Sequence, residues 1–232
     1  ASGGHPLRGC GSCERRRKKT GCASRTAAVE YSLSLDLNMG AMQMSTMSET
    51  AKLVTATDLM DLPDDGYRYE LVHGHLVRDL PPGPRHGAIA FRLALRLGMW
   101  AQEQATGEVF AAETGFKLQS DPDTVRAPDI SFVSSAQLPA AGLPDEYLGP
   151  PDVAVEVLSP SDQQSAVAEK IRDYLGAGCQ QVWIVSIEMR TVTLYKAETD
   201  VRVFTAADTL VGDGPLAGFQ FDVADIFGGV YR

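Results

Sequence analysis

Two strand-like segments of this chain each place an acidic residue inside an apolar, β-branched run. They read RAPDISFV at residues 126–133 and PDVAVEVLSPS at residues 151–161. Because side chains alternate between the two faces of a strand, Glu156 faces away from Val155. An ionised carboxylate is costly to bury in such a run unless another group pairs with it. If the two strands are neighbours, Asp129 and Glu156 converge at the sheet surface, where their carboxylates can act as ligands of a divalent metal ion.

The periodicity around these segments predicts an α/β domain. Helical spacing of apolar residues predicts helices, and short β-branched or alternating runs predict strands. The predicted helices are residues 55–62, 86–105 and 161–176, the last opened by a capping box at Ser161. The predicted strands are residues 67–72, 76–80, 108–112, 115–118, 127–133, 153–158, 181–187, 191–196, 201–205 and 218–223. We expect a mixed central β-sheet flanked by α-helices, with the second helix across one face and the third near the other.

The first 47 residues differ in composition from the rest. They carry seven Lys/Arg and three Asp/Glu, a net charge of +4, and they show no sustained hydrophobic periodicity. We predict that residues 1–47 are a disordered basic arm or an upstream extension, with Met42, Met44 or Met47 as the natural start. The alternative is an arm that contacts nucleic acid. The folded domain is predicted to be residues 48–232.

The charge of the predicted domain restricts its partners. Residues 48–232 include 14 basic and 27 acidic side chains, a net charge of −13. This charge argues against tight binding of a phosphate backbone over a broad surface. No apolar run approaches the roughly 20 residues needed to cross a bilayer, and no secretion signal is evident, so we expect no membrane partner. The four cysteines form no disulfide framework, which fits a cytoplasmic location.

Metal-dependent hydrolysis needs hard oxygen ligands and benefits from a nearby cation. Asp129 and Glu156 offer the ligands. Lys170 is the candidate cation, because it lies beside Ile171 and one turn from Tyr174, at the edge of the apolar stripe of the third helix. From that position it can reach back over the sheet. The alternative is a surface lysine that lies along the helix with its charge in water.

Four motifs together resemble the Uma2 family of endonucleases. They are Arg-x-Pro-Asp at residues 126–129, Pro-Asp-x-x-x-Glu-Val-Leu-Ser-Pro-Ser at 151–161, Lys-x-x-x-Tyr at 170–174 and Val-Trp-Ile-Val at 182–185. The resemblance covers residues 53–228. It implies a restriction-endonuclease-like fold with an active site of the PD-(D/E)XK type. It also implies hydrolysis of phosphodiester bonds in DNA with Mg²⁺ or Mn²⁺ as cofactor.

The resemblance also implies roles for particular residues. Asp129 and Glu156 match the two acids of the motif and would bind the metal, with the carbonyl of Val157 as a further ligand. Glu70 matches the third acid of the superfamily, on an early element. Lys170 matches the helical lysine that replaces the lysine missing two positions after Glu156. This displacement departs from the plain motif.

His86, which opens the second helix, is a further candidate because the family often has a histidine here. The alternative is that His86 has a structural role at the start of the helix, where it hydrogen-bonds the preceding hairpin.

Two other functions remain open from the sequence. One is a binding or assembly module that keeps the nuclease fold without turnover, which the acidic charge and the displaced lysine favour. The other is a metal-dependent hydrolase of a less anionic substrate. The oligomeric state is not readable, although a homodimer is a common arrangement.

Overall fold

The computed structural model describes residues 52–63, 65–79 and 81–228, so the predicted arm at residues 1–47 lies outside them. The helices are α1 (Ala56–Met60), α2 (Pro84–Gln104), α3 (Gln164–Gly176) and α4 (Ala224–Phe227), with a 3-10 turn at Gly214–Leu216. The strands are β1 (Arg68–Val72), β2 (His75–Asp79), β3 (Gly107–Ala111), β4 (Phe116–Gln119), β5 (Thr124–Arg126), β6 (Ile130–Ser134), β7 (Val153–Leu158), β8 (Gln181–Ser186), β9 (Thr191–Ala197), β10 (Asp200–Thr205), β11 (Thr209–Val211) and β12 (Gln220–Asp222).

The central sheet is mixed, as the sequence predicts. It has six strands in the order β10-β9-β8-β7-β6-β3, and β7 runs parallel to β8 while the other neighbours are antiparallel. A parallel pair needs a crossover connection, and α3 supplies it between β7 and β8. A second sheet has the order β2-β1-β5-β4, and β11 pairs with β12.

The predicted strand at residues 127–133 starts later than expected, because β6 begins at Ile130 in the six-stranded sheet. Residues 127–129 connect it to β5, which the sequence did not predict and which ends at Arg126 in the four-stranded sheet. Pro128 lies between them and has no N–H to donate, so a continuous ladder cannot run through this point. The break places Asp129 at the junction of the two sheets.

Each face of the central sheet is covered by a different helix. The predicted alternation along β7 is confirmed, because Val153, Val155 and Val157 pack in the same core as α2. That core includes Ile89, Leu93 and Leu97 of the helix, each with 0% of its surface exposed. Ala154 points to the other face and packs with Ile171 and Tyr174 of α3. The sheet therefore carries its acidic residues between two helical layers.

The predicted capping box at Ser161 is wrong. Helix α3 begins at Gln164, and its N-cap residue Gln163 makes no side-chain cap hydrogen bond. Asp162 instead accepts a hydrogen bond from the backbone N–H of Ser159 at 2.7 Å, so it closes a turn before the helix.

Helix α4 was not predicted from the sequence, because its four residues are too few to show a helical period. In the part of the chain that the structure describes, no helix combines the length and apolarity of a membrane span.

Candidate functional site

Asp129 and Glu156 lie on neighbouring chain segments, as the sequence predicts. Strand β6 pairs with β7 in antiparallel register, and the Asp129 carboxylate accepts the backbone N–H of Val157 at 2.8 Å. The two carboxylates are nevertheless held from opposite faces of the sheet. Asp129 contacts His86 of α2, whereas Glu156 contacts Lys170 of α3.

On the α2 side, Asp129 and His86 form a buried pair. His86 Nε2 lies 3.0 Å from Asp129 Oδ2, and Arg68 Nη1 lies 3.6 Å from Oδ1. Burial would raise the pKa of Asp129, but the hydrogen bond and charge of His86 together with Val157 N–H and Arg68 hold it below its usual value. Burial would lower the pKa of His86, but Asp129 raises it above its usual value. The geometry thus favours an ion pair.

His86 does not make the hydrogen bond to the hairpin that the sequence left open as its alternative role. Among the described residues, its side chain pairs with Asp129. The other ring nitrogen, Nδ1, is buried and has no hydrogen-bond partner among the described residues. A catalytic or ligand role for His86 stays a prediction.

On the α3 side, Lys170 reaches back over the sheet. Its Nζ lies 3.1 Å from Glu156 Oε2 and 3.5 Å from Glu70 Oε1, and its side chain is only 17% exposed. Tyr174, one helical turn further along, donates its hydroxyl to Glu156 Oε1 at 2.8 Å. Lys170 is therefore directed at the acids and not into solvent, and its role in catalysis stays a prediction.

Glu70 joins this group from the other sheet. It lies on β1, is 1% exposed, and accepts Arg126 Nη1 at 2.9 Å and the backbone N–H of Ala127 at 3.0 Å. Arg126 also donates to Asp173 of α3 at 2.9 and 2.5 Å. We call the six connected side chains the carboxylate network: Glu70, Arg126, Glu156, Lys170, Asp173 and Tyr174.

The charges in the carboxylate network shift its pKa values in different directions. Burial, together with the charges of Asp129 and Glu70, raises the pKa of Glu156 to about 7, although Lys170 acts against this rise. Burial also disfavours ionised Glu70, but Lys170 and Arg126 hold its pKa below the usual value. Glu156 is therefore the acid of the network whose ionised form is least favoured.

The sequence patterns assigned no role to Arg126 or to Tyr174, although each stands in one of the four motifs. Arg126 was visible in the Arg-x-Pro-Asp motif, but its partners Glu70 and Asp173 are 56 and 47 positions away. Tyr174 could have been found from its spacing of four residues from Lys170, which places both on one helical face.

The donor chemistry of the three acids fits a hard divalent cation, because carboxylate oxygens are the ligands that Mg²⁺ and Mn²⁺ prefer. Burial is the largest cause of the raised pKa of Glu156, and the negative charges of Asp129 and Glu70, which a cation would offset, add to it. The acids do not form a preassembled cluster: among the described residues, no three His, Cys, Asp or Glu stand together as a metal-binding group. In the arrangement shown, Lys170 supplies the positive charge between Glu70 and Glu156.

Two cavities open beside these residues. Asp129 and His86 line the larger one, about 790 Å³, which we call the aromatic cavity because Tyr67, Tyr69, Phe91 and Tyr147 also line it. The smaller cavity, about 140 Å³, is lined by members of the carboxylate network, among them Glu70, Glu156 and Lys170. The two acids of the motif therefore face different spaces.

Comparison with known proteins gives the class and then the family. The structure is similar to that of a putative nuclease belonging to DUF820 from Anabaena variabilis, with a TM-score of 0.67, 22% identity, and coverage of 76% of this chain and 99% of that chain. The fold is thus the restriction-endonuclease-like α/β fold. The model of the Uma2 family, described as "Putative restriction endonuclease", matches residues 56–224, and the chain belongs to this family. A search of curated proteins returned no match.

Proposed function

We propose that this protein is a metal-dependent endonuclease that hydrolyses phosphodiester bonds in DNA. The observation that carries the proposal is that three buried acids lie near the junction of the two sheets: Asp129 on the α2 side, and Glu156 and Glu70 on the α3 side with Lys170 between them. Membership of a family described as restriction endonucleases supports the reaction class. Mg²⁺ or Mn²⁺ is the proposed cofactor.

Asp129, Glu156 and Glu70 would hold the metal ion. When bound, the ion supplies a Lewis acid that activates water and offsets the charge of the phosphate. Lys170 would orient the attacking water or a phosphate oxygen. Burial would lower the pKa of Lys170, but Glu156 and Glu70 raise it above its usual value, so the side chain keeps its proton at neutral pH. Lys170 is therefore a hydrogen-bond donor in this proposal and not a general base.

The rival with specific support is a nuclease-fold binding or assembly module without turnover. Every oxygen of the three acids already contacts a cation, an N–H or an O–H group within 3.6 Å. The net charge of −13 on residues 48–232 also disfavours tight binding of DNA. A hydrolase of a less anionic substrate remains the second rival. A homodimer and a cytoplasmic location stay predictions.

The test is cleavage of supercoiled plasmid and end-labelled oligonucleotides with Mg²⁺, with Mn²⁺ and with EDTA. We expect cleavage with either metal and none with EDTA. Asp129→Asn should reduce the rate by about 100-fold or more, because it removes a charged ligand. Lys196→Met is the matched control, because Lys196 pairs with Asp213 away from the site and should leave the rate unchanged.

Other outcomes separate the rivals. Calorimetry that detects no binding of Mg²⁺ or Mn²⁺ would favour the assembly module. Hydrolysis of small phosphoesters without cleavage of DNA would favour the second rival. Unchanged cleavage by Asp129→Asn would remove Asp129 from the mechanism.

A further inference from the structure

We infer that the aromatic cavity receives one unpaired nucleobase, so that the substrate is single-stranded or locally opened DNA. This inference rests on the proposed function, because it specifies which form of DNA reaches Asp129. A base in a duplex is stacked and paired, and a protein pocket can take it only from a single strand or after it has left the stack. The cavity would thus select the substrate before any bond is broken.

The size and lining of the aromatic cavity fit a base. Its volume of about 790 Å³ falls in the range of small-molecule sites, with room for a nucleotide. Tyr67 and Phe91 line it and are 39% and 66% exposed, so part of their ring surface is accessible to a ligand. Stacking of a base on an aromatic side chain is worth roughly 1–3 kcal/mol and tolerates any base.

The tyrosine rings of the cavity are held in place before any ligand arrives. The Tyr69 hydroxyl donates to Asp65 at 2.7 Å, and the Tyr67 and Tyr69 rings contact edge to face at 6.5 Å. Tyr147 fits against Gly115, where a Cβ atom would approach the ring to 2.5 Å, so only glycine leaves room for it. Fixed rings lose little conformational freedom on binding, which favours stacking.

His86 places the aromatic cavity next to the proposed metal site. It lines the cavity and is 8% exposed. His86 is paired with Asp129, so a base bound here would bring the adjoining phosphate close to a proposed metal ligand.

This mode of binding also accommodates the acidic character of the domain. A neutral base gains its affinity from stacking, whereas duplex recognition relies on many phosphate contacts and a basic surface. Residues 48–232 carry a net charge of −13 and lack the composition for such a surface. We therefore expect single-strand binding with a shallow dependence on salt.

The test measures binding without cleavage. A fluorescein-labelled single-stranded 12-mer and a blunt duplex of the same sequence are titrated with the full chain in EDTA, and fluorescence anisotropy is recorded. We expect the single strand to bind at least about tenfold more tightly than the duplex. Tyr67→Leu should weaken single-strand binding by a similar factor, whereas Tyr67→Phe should retain it because the ring remains.

A pair of glycines on α2 gives a matched comparison. Gly87 lines the aromatic cavity and Gly98 does not, and a Cβ atom at either position meets nothing within 4 Å. Leucine favours a helix more than glycine does, so both substitutions should preserve the fold. Gly87→Leu would occupy cavity space and weaken single-strand binding at least about tenfold, and Gly98→Leu would leave it unchanged.

Equal binding of duplex and single strand, or unchanged single-strand binding in Gly87→Leu, would overturn the inference. Metal-dependent plasmid cleavage seen together with either result would leave the proposed endonuclease function standing. Conversely, the expected anisotropy pattern without metal-dependent cleavage of any DNA would support the cavity as a base site and contradict the proposed function. The two failures are therefore distinguishable.

Discussion

Asp129 and Glu156 lie on neighbouring segments and are both buried, yet their pKa values move in opposite directions. The pKa of Asp129 is lowered and that of Glu156 is raised to about 7. Burial acts in the same direction on both. The difference comes from the neighbours, because Asp129 meets His86 and Arg68, whereas Glu156 shares Lys170 with Glu70. Burial raises the pKa of both acids, so the difference in their neighbours decides which one stays ionised.

The cavities beside the two acids also differ, in both volume and lining. The Asp129 side opens into a cavity of about 790 Å³ lined by aromatic rings, and the Glu156 side into one of about 140 Å³ among charged groups. The larger cavity has room for a ligand. The smaller cavity lies among side chains of the carboxylate network, whose ion pairs connect β1, β7 and α3.

The largest effect should come from breaking the carboxylate network. Arg126→Met removes a side chain that is 4% exposed and takes the guanidinium partner from both Glu70 and Asp173. We expect a loss of about 3–5 kcal/mol in the free energy of unfolding, measured by urea denaturation at pH 7. A loss below about 1 kcal/mol would show that the network contributes little to the fold.

Neutralising the two acids should shift stability in opposite directions. Glu156 has a folded pKa above its unfolded value, so its ionisation destabilises the protein as the pH rises from about 4.5 to 7. Glu156→Gln should therefore gain roughly 1–3 kcal/mol at pH 8 in EDTA. Asp129 has a lowered folded pKa, so its charge contributes stability above its unfolded pKa of 3.8 that is lost as the pH falls.

Asp129→Asn should consequently destabilise the protein at pH 8. Paired urea denaturation curves of the two variants at pH 5 and pH 8 check this contrast. Shifts of the same sign at pH 8 would show that the two acids do not differ as their surroundings indicate.

A smaller effect is expected from His86→Ala. The folded pKa of His86 is raised, so its pairing with Asp129 contributes fully below the unfolded pKa of 6.5 and is lost as the pH rises through the folded pKa. We expect a loss of about 1–2 kcal/mol at pH 6 and a smaller loss at pH 9. His75→Ala, at an exposed site on β2, is the control. An equal loss at both pH values would mean that packing, not the ion pair, accounts for the effect.

The smallest effect should come from Lys196→Met. Lys196 and Asp213 form a salt bridge in which the side chains are 30% and 45% exposed. Solvent screens such pairs, so we expect a change of less than about 1 kcal/mol in urea denaturation. A change as large as that of Arg126→Met would remove the contrast between buried and exposed pairs.

Elements with a clear local period could be predicted from the sequence alone. Alternation along β7 predicted that Glu156 faces away from Val155, and the helical spacing of apolar residues predicted α2. The sequence also predicted that the segments carrying Asp129 and Glu156 are neighbours, but not that their carboxylates are held from opposite faces of the sheet. The helical stripe indicated Lys170, and the resemblance to the Uma2 family added Glu70 and a further reason to expect a lysine on that helix.

The way in which these elements meet became visible only in the folded protein. The break at Pro128 places β5 and β6 in different sheets, and a strand pattern read along the chain does not reveal such a change of partner. Arg126 finds partners on β1 and α3, and the aromatic cavity combines rings from Tyr67 to Tyr147. The physical reason is that periodicity reports which side of an element is buried, whereas charge pairing and cavity shape depend on which distant elements pack against that side.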